Sequence, residues 1–90
     1  MLDAAKCALF IPPGLSGFKN RLFERIGKHI TERGGKVVRH DFGALAKLPD
    51  HVVPIVGCTP ELRPLIDGWT QRRRTFVYWD RGYARRVFAT

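Results

Sequence analysis

The sequence predicts one α/β domain, with a four-stranded, mainly parallel sheet in the order 2-1-3-4 flanked by helices. Three observations predict it. The unbroken apolar run Cys7-Ala-Leu-Phe-Ile11 reads as a strand covered on both faces and therefore central. It leads at once through Pro-Pro-Gly-Leu-Ser-Gly into an amphipathic helical pattern. Strand-like and helix-like stretches then alternate to the end of the chain, as parallel α/β sheets require.

The first strand must stop at Pro12 and Pro13, which lack the ladder donor, and Gly14 and Gly17 allow the sharp strand-to-helix reversal that follows. Phe18, Leu22, Phe23, Ile26 and Ile30 then make one apolar stripe, with Lys19, Arg21, Arg25 and Lys28 mainly outside it. That helix runs out at Arg33, where Gly34-Gly35 supplies a left-handed C-cap. Lys36 to His40 is a short outer strand with Asp41 at its end. Phe42 to Asp50 is a minimal crossover, with a brief helix expected over Ala44 to Leu48.

His51 to Val56 forms the third strand, although Pro54 removes one ladder donor and suggests a local edge or bulge. Thr59 is a good N-cap, Pro60 suits a first helical position and Glu61 complements the helix dipole. Pro64 would break that first turn, so the helix proper can begin there, and Leu62, Leu65, Ile66 and Trp69 form its buried stripe. Arg72-Arg73-Arg74 closes it, Thr75 to Trp79 is the fourth strand, and the tail from Ala84 pairs as a further strand or continues as a short helix. Phe10, Phe23, Ile26, Val56, Ile66, Trp69 and Val77 are expected to share a core. The architecture is thus Rossmann-like or flavodoxin-like, a single domain over 1–90.

Composition narrows the function classes. Ninety residues that are 44% hydrophobic suffice for one modest core. No apolar stretch approaches the ~18 residues of a membrane span, and no secretory signal is visible, so the expected location is cytoplasmic with no membrane partner. Cys7 and Cys58 make neither a metal quartet nor a disulfide framework and read as free thiols. His29, His40 and His51 lack metal-ligand spacing, so no metal or other cofactor is expected. A net charge of +8 points to an anionic partner, a nucleic acid or an acidic protein; a homodimer is also compatible with so small a domain.

Two candidate sites follow. In the 2-1-3-4 order, the turns after strands one and three flank the topological switch point, where ligands of open α/β sheets bind. Gly14, Ser16, Gly17, Asn20, Cys58 and Thr59 fall there, with Asp41, Asp80 and Arg81 on the borders, as a candidate crevice for a phosphate-containing ligand. The spacing is neither G-x-x-x-x-G-K-[ST] nor G-x-G-x-x-G, and the turn alone accounts for both glycines, with Ser16 as a simple cap. The second site is a basic patch of Arg72, Arg73, Arg74, Arg81, Arg85 and Arg86, in which Tyr78 or Tyr83 would stack on a base. No nucleophile–base set can be assembled, and Asp80 is the sole acid–base candidate should the protein be an enzyme.

Ala-Leu-Phe-Ile-Pro-Pro-Gly-Leu-Ser-Gly-Phe-Lys-Asn-Arg-Leu-Phe-Glu near the N-terminus and Thr-Phe-Val-Tyr-Trp-Asp-Arg-Gly-Tyr later resemble uncharacterised bacteriophage proteins with a Rossmann-like, glycosyltransferase-like N-terminal half. The resemblance covers most of the chain, with Pro12 to Phe18 and Asp80 to Tyr83 as its marked stretches. It implies the fold and a viral source more than a reaction, and a phage-encoded protein would be expected in the host cytoplasm. A two-domain transferase needs a second half to close over its donor, and this chain stops after the fourth strand. The expected function is therefore a basic, non-catalytic binding module engaging nucleic acid or an acidic host protein. The alternative is the nucleotide or nucleotide-sugar phosphate-binding half of a glycosyltransferase-like enzyme.

Overall fold

The computed structural model describes residues 3–57, 60–80 and 83–87, and the side chains of 3–57 and 60–78. Its elements are β1 (Cys7–Ile11), α1 (Gly17–Glu32), β2 (Lys36–Arg39), α2 (Phe42–Ala46), β3 (Val53–Gly57), α3 (Arg63–Gln71), β4 (Phe76–Asp80) and β5 (Tyr83–Val87). Short 3-10 turns occupy Ala4–Lys6 and Pro60–Leu62. The sheet order is β2-β1-β3-β4-β5. The first four strands are parallel in the expected 2-1-3-4 order, and β5 is antiparallel on β4, with Asp80 paired to Tyr83 and Phe76 to Val87. Only two residues separate these strands, far fewer than a parallel crossover needs, so the tail can join the sheet only as a hairpin.

Every residue of β1 is buried, because it lies between β2 and β3 with helices on both faces. Alternate side chains of a strand point to opposite faces, which divides the interior in two. Leu9 and Ile11 pack with Ile30, Phe23 and Ile26 of α1, joined by Val37 and Ile55. Phe10 packs on the other face with Leu45 of α2, Trp69 of α3, Leu62, Val56 and Phe76. The single shared core expected from the sequence is thus corrected to two: Phe23 and Ile26 lie on the α1 side, and Phe10, Val56, Ile66 and Trp69 on the α2/α3 side. Val77 is buried but belongs to neither cluster.

Phe18 is also corrected: it is 71% exposed and takes no part in the core. At ~100° per residue it falls well to one side of the Phe23–Ile26–Ile30 line, so the period that made the stripe excludes it. Two glycines set how closely the layers approach. A Cβ on Gly27 would stand 3.1 Å from Cγ2 of Val37, where α1 meets the sheet. A Cβ on Gly35 would overlap the Ala4 carbonyl oxygen and Cγ2 of Ile30.

Other boundaries move for local reasons. The crossover helix begins at Phe42 rather than Ala44, because Asp41 N-caps it by accepting from the Ala44 amide at 3.0 Å. Pro54, the second position of β3, is paired with Ala8 of β1 but not with β4, which pairs only from Ile55 onward, so it stands at a local edge as expected, where its missing N–H costs no ladder bond to β4. Pro64 lies in the first turn of α3, where its missing N–H is one that the helix leaves unpaired anyway, and the irregular turn Pro60–Leu62 precedes it.

Candidate functional site

The loop after β1 is held from below and open above. Pro12 is buried and Leu15 packs on the α1-side core, while Gly14, Ser16, Gly17 and Asn20 are exposed. Gly14 and Gly17 have φ of 83° and 56°, the left-handed region that a Cβ disfavours, and a Cβ at either would meet nothing within 4 Å. These glycines are therefore required by backbone conformation and not by crowding. Ser16 occupies the N-cap position of α1 with extended backbone, yet its hydroxyl makes no capping bond, contrary to the simple capping role. Asp41, expected on the border of this crevice, is engaged as the α2 cap. Cys58, Thr59 and Arg81 lie outside the described residues, and so do the side chains of Asp80, Tyr83, Arg85 and Arg86. By backbone register Arg85 pairs with Tyr78 and Arg86 with Val77, so both are at least carried beside β4.

The arginine triplet does not act as one patch. Arg72 and Arg73 are exposed, but Arg74 is 6% exposed and faces inward. Its Nη1 donates to the Leu48 carbonyl at 3.2 Å, and its Nη2 donates to the Pro49 and Val52 carbonyls, the latter at 2.9 Å. The guanidinium lies 5.5 Å from the Trp69 ring centroid, with the Asp50 carboxylate at 3.8 Å, and its Nε is buried without a partner. Burial lowers the pKa of Arg74, Asp50 works in the opposite sense, and Arg72 lowers it further. The cause of this inward turn is the helix end. Arg73 adopts φ 57°, the Arg73 amide bonds the Thr70 carbonyl, and the Arg74 amide bonds the Trp69 carbonyl at 2.9 Å, a Schellman closure that swings residue 74 under α3. Arg74 therefore ties the loop before β3 to the loop before β4.

A cleft of about 400 Å³ opens beside this tie, lined by Asp50, Val53, Arg72, Arg73, Arg74 and Thr75. It lies at the amino ends of β3 and β4, the opposite end of the sheet from the Pro12–Gly17 loop. Tyr78, expected as a stacking platform, is half-buried and packs against the α2/α3-side core.

A second exposed basic surface lies on α1. Arg21, Arg25 and Lys28 recur at helical spacing on the face opposite the core, and all are exposed with no acidic partner among the described residues. Glu24, which would offset them, is held by Arg39 of β2 through two bonds of 2.8 and 3.0 Å. Phe18 stands at the head of this face. Composition showed the charge and periodicity showed the helix, but the engagement of Glu24 by Arg39 spans two elements and has no local signal. Among the described residues no group of three or more His, Cys, Asp and Glu is placed to hold a metal ion, and no helix is long and apolar enough to cross a membrane. Compared with family models, curated proteins and solved structures, the chain matches none of them.

Proposed function

We propose that the protein is a small basic α/β binding module that engages nucleic acid through its phosphates, without catalysis. The observation that carries this reading is the solvent face of α1, where Arg21, Arg25 and Lys28 stand without acidic partners among the described residues while the nearby Glu24 is bonded to Arg39. Arg72 and Arg73 at the cleft add exposed cations at the far end of the sheet. A surface of this kind supplies the sequence-independent, salt-sensitive part of nucleic-acid binding. A bacteriophage origin and action in a host cell fit this reading but do not carry it.

Titration of single- and double-stranded DNA and RNA at low and moderate salt tests it. Each phosphate contact contributes roughly 0.7 to 0.9 to the slope of log affinity against log salt. The combined variant Arg21→Gln, Arg25→Gln, Lys28→Gln should therefore flatten the slope by about 2 to 3, and Arg72→Gln with Arg73→Gln by about 1 to 2. Unchanged slopes in both variants, or no binding at low salt, overturn the reading; the second result directs attention to an acidic protein.

One observation favours a second reading. The Ser16 hydroxyl is exposed and not spent on capping, beside the left-handed Gly14 and Gly17, as a nucleotide or nucleotide-sugar phosphate site in a glycosyltransferase-like half would need.

A further inference from the structure

We infer that Phe18 is a base-stacking platform and that the α1 face prefers single-stranded over double-stranded nucleic acid; this rests on the nucleic-acid reading above. Phe18 is the exposed large hydrophobic side chain among the described residues. A Phe ring costs free energy when left in water, and the apolar positions next along α1, Phe23, Ile26 and Ile30, turn to the sheet without it. Its neighbours along the exposed face of the helix are cationic: Arg21 lies one turn on and Arg25 two turns on, with Leu22, four residues on, half-buried.

That pattern selects the occupant. An apolar partner would leave Arg21 and Arg25 desolvated and unpaired. A duplex offers the phosphates but keeps its bases stacked inside, with no aromatic face for Phe18. A single strand offers both, with phosphates for the cations and an unstacked base for the ring. From Phe18 to Lys28 the helix rises by about 15 Å, so its cations can meet successive phosphates of one strand. Glu24 is bonded to Arg39, so between Phe18 and Lys28 no carboxylate on α1 is left unpaired; Glu32, exposed one turn beyond Lys28, bounds the track.

The test is fluorescence anisotropy of a labelled oligothymidylate and of a duplex of equal length, with the full chain and the variants Phe18→Ala and Phe18→Tyr. Phe18→Ala should weaken single-strand binding by about 5- to 160-fold, the range expected for loss of one base–aromatic stack, with the salt slope unchanged because no cation is removed. Phe18→Tyr should restore affinity to near that of the native chain, and duplex affinity should stay within about twofold throughout. An exposed ring can be removed without unfolding, so an unchanged thermal midpoint serves as the control. If Phe18→Ala binds the single strand as well as the native chain while the α1 charge variant still flattens the salt slope, this inference fails and the nucleic-acid reading stands. Equal losses on single strand and duplex also overturn it. If the native chain binds neither, both fall together.

Discussion

Replacing Arg74 by Met should remove much of the stability of the domain. The variant keeps an unbranched apolar stem over Trp69 but withdraws every donor that holds the Leu48, Pro49 and Val52 carbonyls. An acceptor left without a partner costs about 1 to 3 kcal/mol when it stays buried. Two of these three bonds are only partly buried, so water can reclaim some acceptors. Loss of the cation–ring contact adds a smaller amount. The sum expected is about 3 to 5 kcal/mol. A domain of 90 residues is stable by roughly 5 to 13 kcal/mol, so the variant should be left marginal. In urea its midpoint should fall sharply, and its thermal midpoint should drop by more than about 12 °C at roughly 4 °C per kcal/mol. Arg74→Lys should recover part of the loss, since an ammonium has three donors but not the planar fork that spans separated carbonyls. Arg72→Ala, at an exposed neighbour, should change stability by no more than about 0.5 kcal/mol. An Arg74→Met midpoint equal to that of the native chain would refute the reasoning. So would an Arg72→Ala loss of the same size, which would mean that the triplet acts only through charge.

Three further outcomes are expected. Arg73→Gly should raise the thermal midpoint by about 2 to 8 °C, because a left-handed position carrying a side chain costs about 0.5 to 1 kcal/mol, and it should weaken nucleic-acid binding in the same sample. A midpoint that falls would show that Arg73 makes a stabilising contact. Gly35→Ala should lose about 1 to 3 kcal/mol in urea denaturation, since its methyl group would overlap the Ala4 carbonyl and Ile30, and full native stability would mean that the N-terminal turn moves aside at no cost. Calorimetry with nucleoside diphosphates and uridine-diphosphate sugars should show no heat; saturable heat abolished by Gly17→Val, with the fold intact, would replace the surface-binding reading by the phosphate-site reading.

By itself the sequence determined the parallel part of the sheet and its order. β1 is apolar at every position because both of its faces are covered, and the prolines and glycines after it can only be a turn; such signals are local and survive without coordinates. Periodicity likewise placed Leu65, Ile66 and Trp69 of α3, with Leu62 in the turn before it, on one buried side. The tertiary structure decided what depends on elements meeting. Three consecutive arginines are alike in sequence, and only the left-handed closure at Arg73 and the carbonyls of the loop before β3 make Arg74 a buried tie while Arg72 and Arg73 remain in solvent. The α1 cations could be read from the helix, but their freedom from Glu24 required Arg39, fifteen residues away on another strand. In sequence, the spacing of four from Phe18 to Leu22 draws Phe18 into the apolar stripe of α1. Its exposure follows from which line of α1 rests on the sheet: Phe23, Ile26 and Ile30 face the core, and Phe18, turned well away from that line around the helix, is left in solvent.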